Sequence, residues 1–158
     1  MYVSILTLLM SLGPNRAVKN AAEYHNIDER LLLSVCKVES NLDPHAYVYR
    51  DGGRRNHAVG LCQVLVKTAS EYVPTKGCGA DFRTKERHPT NCILFNPGIN
   101  AMVAAGYLRK QLDRYPNSVA KAVAAYNAGH VKYRQKRLLN QKYVDRVFKT
   151  YKELADNN

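Results

Sequence analysis

The sequence predicts a mainly α-helical domain with a small β-hairpin or irregular loop at one place, and three observations carry that expectation. Apolar residues recur at helical spacing along most of the chain, as in Leu32, Val35 and Cys36 ahead of Glu39. Helix start and stop signals bracket these stretches: Asn96-Pro97 opens one, Pro116 stops it after Tyr115, and Gly129 ends the next. The 158 residues suit one core, and no internal repeat or linker divides them.

Taken in order, Val3 to Leu12 is apolar and about as long as the core of a signal peptide. It lacks a basic leader, and its small-residue exit, Ser11-Leu12-Gly13, is followed by Pro14. Residues 1–14 therefore read as an export signal, a short anchor or an extension of the first helix, ahead of one domain over 15–155. Asn15 to Tyr24 is predicted helical. Asp28 to Ser40 is the second helix, with Asn26 and Glu29 spaced as a capping box. Tyr47 to His57 contains Asp51-Gly52-Gly53, a turn signal between two short strands. Gly60 to Tyr72 starts another helix. Residues 73–95 are irregular, broken by Pro74, Gly77, Gly79 and Pro89. Asn96 caps a helix running through Ile99, Met102, Val103, Tyr107, Leu108 and Leu112 to Tyr115. Asn117 or Ser118 caps Val119 to Asn127, whose alanines permit close helix approach. Tyr143 to Leu154 is the last helix.

Apolar residues make up 46% of the chain, so it can bury a core. The net charge of +11 implies an acidic partner, such as nucleic acid, an anionic membrane or an anionic wall polymer. Basic residues concentrate at Arg50-Arg54-Arg55 and at Lys132-Arg134-Lys136-Arg137, with no nucleic-acid motif beside them, so no nucleic-acid partner is expected. No run of 18 apolar residues exists, which argues against a helical membrane span. Cys78 and Cys92 lie in a polar segment that a disulfide would staple, worth about 3 kcal/mol. Such a bridge favours an oxidising compartment. A pair of loop thiols is the alternative. Zinc would need ligands at spacings that are not present. Cys36 and Cys62 stand in apolar contexts and read as buried free thiols.

Glu39 carries the most information. It follows Leu32, Val35 and Cys36 on one helical face, so its carboxylate emerges beside an apolar stripe. Desolvation there disfavours the charged form, as a general acid near neutral pH requires. The competing reading is a solvated glutamate at a helix end.

Three further segments favour the first reading: Gly60-Leu61-Cys62-Gln63, Ala124-Ala125-Tyr126-Asn127-Ala128-Gly129 and Tyr143-Val144-Asp145-Arg146-Val147. With Glu39-Ser40 and the looser Asn100 to Leu108 stretch, their order resembles the soluble lytic transglycosylase family, which shares a fold with goose-type lysozyme. The resemblance spans about residues 15–151. It implies a lysozyme-like helical domain that cleaves the β-1,4 bond between N-acetylmuramic acid and N-acetylglucosamine in peptidoglycan. Glu39 aligns with the family's acid, which protonates the leaving oxygen and then takes the proton of the muramic 6-hydroxyl as a 1,6-anhydro ring closes. The resemblance implies no metal or organic cofactor. It also implies action in the cell envelope, periplasmic or extracellular, on glycan strands. The resemblance leaves room for envelope machinery as a partner, and a monomer is expected.

Several positions carry over with alternatives beside them. Ser40 helps shape the site in the family, or bonds to backbone as a helix-end serine. Gln63 matches a substrate-amide contact, against a structural bond to a loop. Tyr126 and Asn127 match a Tyr-Asn pair able to bond the acid or an acetamido group, while Asn127 also suits a helix cap beside Gly129. Tyr143 matches a tyrosine aimed at the acid, against core packing. Gly60 permits close backbone approach. Asp43 and Asp51 read as turn residues, which leaves Glu39 without a second carboxylate of the kind paired glycosidases use. Cys62 stands where the family has Met, Leu65-Val66 replaces Met-Pro, and residues 76–93 exceed the family minimum. Two rivals share the fold: a goose-type hydrolase and a non-catalytic wall-binding or assembly protein. A nucleic-acid-binding helical domain rests on charge alone.

Overall fold

The computed structural model describes residues 12–48, 57–78 and 91–156. The architecture is mainly α with short antiparallel strands, as expected. Helix α1 (Pro14–Tyr24) begins with proline in its first turn, where the ring sacrifices no intrahelical bond. It buries Ala17, Val18, Ala21 and Ala22. Helix α2 (Glu29–Ser40) is capped by Asp28, whose carboxylate accepts from Arg30 N at 2.8 Å and Leu31 N at 3.3 Å. The expected capping box between Asn26 and Glu29 does not form. Asn26 takes a left-handed turn at φ 51° between the helices, and Asp28 stands one residue before the first orphan amides.

After α2 the chain turns through Asn41 and Leu42, both left-handed at φ 57° and 63°. Strands β1 (Tyr47–Val48), β2 (Ala58–Val59) and β3 (Val64–Leu65) form a three-stranded antiparallel sheet in that order. Tyr47 faces Val59 and Val59 faces Val64. The two strands expected around Asp51-Gly52-Gly53 therefore pair; the turn itself lies outside the described residues. The helix expected from Gly60 to Tyr72 is corrected. Residues 60–63 form a turn, 64–65 a strand, and only Val66–Ala69 (α3) is helical. Gly60 at φ 73° and Gln63 at φ 48° fold the chain back instead of letting a helix propagate.

A 3₁₀ turn (Ile93–Phe95) leads into α4 (Pro97–Arg114), with Asn96 capping Ile99 N at 3.1 Å as expected. Helix α4 runs through the middle of the domain and packs on α1 and on α5 (Val119–Ala128). A small residue on α4 lets neighbours come close: a Cβ on Gly106 would stand 2.9 Å from the Tyr72 ring and 3.2 Å from that of His25, at the end of α1. Ser118 caps α5 and left-handed Gly129 ends it. Helix α6 (Gln141–Asp156) lies against α2 and buries Tyr143, Val144 and Val147. Between α5 and α6 stands a hairpin that sequence reading missed, β4 (Tyr133–Arg134) and β5 (Arg137–Leu138). Its turn holds Gln135 and Lys136 left-handed, at φ 50° and 63°, without the Asn-Gly pair that normally marks such a turn.

Two disulfides cross the domain. Cys78–Cys92 is bonded as anticipated. Cys36–Cys62 is also bonded, so the expectation of free thiols there is wrong. The apolar contexts were read correctly, since neither residue is exposed. They are, however, the two sides of one contact, α2 against the 60–63 turn, with Cα atoms 4.1 Å apart. Closing loops of 26 and 14 residues, the bridges are worth about 3.5 and about 3 kcal/mol in the chain-entropy picture.

Asn100, fully buried on α4, clamps the same turn. Its Nδ2 donates to Val59 O at 2.8 Å and Leu94 O at 2.9 Å, and its Oδ1 accepts from Cys62 N at 2.9 Å. Asn100→Ala is expected to cost about 3 kcal/mol, roughly one for each lost bond, in urea unfolding. A loss below about 1 kcal/mol would mean the clamp is not a stabilising contact.

Asp28 also accepts from the Tyr151 hydroxyl of α6 at 2.7 Å, and Arg30 lies over the Tyr151 ring. Burial pushes the Asp28 carboxyl up, but the bonds from Tyr151, Arg30 N and Leu31 N, with the Arg30 charge, outweigh it and hold it below 3.8. A carboxyl lowered on folding adds stability that is present above its ordinary value and lost as pH falls through the folded one. Asp28→Ala should therefore lose about 1 kcal/mol at pH 7. The gap to the parent chain should narrow on acidification below pH 3.8, read by urea unfolding at several pH values.

Candidate active site

Glu39 stands in the last turn of α2 on the stripe formed by Leu32, Val35 and Cys36, none of which is exposed. The stripe sinks into the core and leaves Glu39 half-buried at its edge. Tyr143, in the first turn of α6, donates its hydroxyl to Glu39 Oε1 at 2.7 Å. Burial first, then the Glu39 charge and this hydrogen bond, push the Tyr143 hydroxyl well above the usual tyrosine range, so it remains a donor. Tyr126 on α5 is raised in the same direction by burial and then by the Glu39 charge. Its hydroxyl donates to Cys62 O at 3.0 Å, so it braces the turn opposite Glu39.

That turn, residues 60–63, is the second wall. Gly60 has no room for a side chain: a Cβ would come within 2.5 Å of both Leu94 O and Asn100 Nδ2. Gln63 donates its amide to Ala46 O at 3.2 Å and Gly60 O at 3.1 Å. The structural bond to a loop, the alternative reading of Gln63, is thus present. Gln63 nevertheless lines the cleft, and its Oε1 carries no hydrogen bond to another described residue. Ser40 is a splint: it donates to Leu61 O at 2.6 Å and accepts from Asp43 N at 3.0 Å. It shapes the site through the backbone and is not part of the cleft lining. Asp43 accepts from His45 N at 2.9 Å, the local turn bond anticipated for it, while Asp51 lies outside the described residues.

Asn127, near the end of α5, is exposed on the cleft. Its Oδ1 accepts from Asn140 at 3.0 Å, and Asn140 also donates to Ala124 O at 2.9 Å. Asn127 Nδ2 makes no hydrogen bond to another described residue. Glu39, Gln63, Tyr126 and Asn127, far apart in sequence, line one cleft enclosing about 670 Å³, part of it open to solvent. Val48, Ala58, Val64 and Leu65 supply an apolar wall from the sheet. Glu39 is the one carboxylate among the described residues that line it.

Sequence reasoning missed Tyr107 and Asn140. Tyr107 lies in the cleft with its ring 5.4 Å from that of Tyr126, although helical spacing places it among core-facing residues. Its position in the Gly106-Tyr107-Leu108 stretch was the available signal. Asn140 stands in a segment that carries no periodicity. Leu65, where Met-Pro was replaced, still lines the cleft, whereas Val66 turns into the core.

Residues 16–148 match the family described as the transglycosylase SLT domain. The chain belongs to that family. Among curated relatives it is similar to membrane-bound lytic murein transglycosylase C of Histophilus somni strain 2336, 33% identical over 121 residues. The proteins of that name from Haemophilus influenzae strain PittEE and Mannheimia succiniciproducens strain KCTC 0769BP / MBEL55E are 32% identical over 120 residues and 31% over 121. In each case the alignment covers 71% of this chain and 30% of the relative, so the chain spans about a third of the relatives' length. The SLT domain match runs from α1 into α6 and so takes in Glu39, both cleft walls and Tyr143.

In this SLT domain the Tyr126 hydroxyl is a brace with a measurable weight. Tyr126→Phe leaves Cys62 O without that donor and is expected to cost about 1–2 kcal/mol in chemical unfolding. A neutral outcome would remove Tyr126 from the support of the turn.

Proposed function

We propose that this SLT domain is a peptidoglycan lytic transglycosylase with Glu39 as acid and then base. The observation that carries the reading is the Glu39 carboxylate, the one carboxylate among the described cleft residues, bonded by Tyr143 and sharing the cleft with Gln63, Tyr126 and Asn127. The names of the relatives support the same substrate.

A glycan strand occupies the cleft with the scissile bond beside Glu39. The carboxyl gives its proton to the leaving oxygen of N-acetylglucosamine as the bond to muramic C1 breaks. The muramic acetamido oxygen attacks C1 and holds the sugar as a cyclic intermediate, the substrate-assisted route that needs no second carboxylate. Glu39, now ionised, takes the proton of the 6-hydroxyl. That oxygen displaces the acetamido group from C1 and closes the 1,6-anhydro ring, with no water consumed. Tyr143 holds the carboxylate in place through both steps. Asn127 Nδ2 and Gln63 Oε1 are suited to the substrate's acetamido groups, and the Tyr107–Tyr126 pair to a sugar face.

The two disulfides support work in an oxidising compartment, periplasmic or extracellular. Among the described residues no helix is long and apolar enough to cross a membrane.

Glu39→Gln should abolish product formation, a loss of at least about a hundredfold, with the fold intact by circular dichroism. Mass spectrometry of digested peptidoglycan should give muropeptides one water lighter than hydrolytic products, absent with the variant. Glu39-dependent products with reducing ends would mean a hydrolase. Undiminished activity in the variant would mean another acid.

A further inference from the structure

The cleft lining contains no lysine or arginine among its described residues, yet the chain carries a net charge of +11. Four of those cations, Lys132, Arg134, Lys136 and Arg137, fall in the β4–β5 hairpin. All four are exposed, and none forms an ion pair with a described residue. Tyr133 beside them is 55% exposed. The hairpin is rooted at the cleft. Leu139 N donates to Lys132 O at 2.8 Å and closes its base. Asn140, the next residue, bonds Asn127 of the cleft wall, and its carbonyl accepts from the backbone amide of Tyr143, which holds Glu39. A two-stranded hairpin of this length is marginal by itself, and only Leu138 packs on the core. Little of its sequence is needed for folding.

We propose that the hairpin is an accessory substrate surface that binds the carboxylates of the peptides carried by the glycan. This deepens the peptidoglycan reading and rests on it. The amide-bearing sugars offer the cations no complementary charge; the peptide branches do, and they project from the muramic residues flanking the scissile bond. Exposed cations next to a cleft whose described lining holds no cation therefore select strands by their peptides. Tyr133 adds an amphipathic face for the short apolar side chains of such peptides.

The test uses glycan strands with intact peptides and the same strands stripped by an amidase, with the lactyl carboxylates so freed capped as methylamides, against the parent chain and a variant with Lys132→Gln, Arg134→Gln, Lys136→Gln and Arg137→Gln. The parent chain should show a KM about five- to tenfold lower on peptide-bearing strands, an advantage that fades with added salt. The variant should lose that advantage, with kcat and its behaviour on stripped strands unchanged. Equal KM values for the parent on both substrates, or an equal loss by the variant on both, would overturn the proposal. Co-sedimentation with Glu39→Gln separates the two readings. If the parent cleaves neither substrate, preferential binding of peptide-bearing strands still supports the hairpin's role while the catalytic reading falls. Equal binding overturns the hairpin's role as well. Retention by a phosphodiester polymer, without preference for peptide-bearing strands, overturns it in favour of general polyanion attraction.

Discussion

The buried amide of Asn100 decides where one wall of the cleft stands. Asparagine here bonds two carbonyls and one amide of the chain around residues 59–62 and the 3₁₀ turn, in a place that water does not reach. An unpaired backbone group there would be costly, so the turn has little freedom to shift relative to α4. Gly60 is the complement of this clamp, since any side chain would occupy the space of the Asn100 amide. The Cys36–Cys62 bridge fixes the same turn from its other side, onto the helix that carries Glu39. The clamp and the bridge, with the bonds from Ser40 to Leu61 O and from Tyr126 to Cys62 O, thus hold in a turn a few residues that look helical by composition.

The acid is oriented from a different direction. Tyr143 approaches Glu39 from α6, more than a hundred residues later in the chain, and burial keeps its hydroxyl protonated. Tyr126 feels the same charge but bonds Cys62 O, so it supports the opposite wall instead of the carboxylate. Asn140 links these features, joining the α5 wall to the base of the basic hairpin and to the start of α6. A segment with no core of its own therefore carries two duties. It sets where α6 begins, and it places cations beside a cleft that has none among its described lining residues.

Much of this was legible in the chain. Most helical stretches, the Asn96-Pro97 start, the Gly129 stop, the Cys78–Cys92 bridge, and Glu39, Gln63, Tyr126 and Asn127 in the cleft follow from period, cap chemistry and motif order. The errors share a cause. Asn26 was offered as a cap because its spacing to Glu29 fits, but the chain turns left-handed there and Asp28 reaches the amides instead. Residues 60–72 look helical by composition, yet tertiary bonds from Asn100 and Ser40 fold them into a turn and a strand. The β4–β5 hairpin bears no Asn-Gly signal because Gln and Lys occupy its left-handed positions.

Local chemistry by itself determined most of the helices, several of their ends and which residue types were available for catalysis, because caps and apolar periodicity act within a few residues of themselves. It also determined the excess of positive charge. Only the tertiary structure decided that two separately apolar cysteines are partners, that Gln63 spends its amide on the backbone, and that Tyr107 faces a cleft. Those outcomes depend on distances between segments remote in sequence, which packing and buried hydrogen bonds set and no local pattern encodes.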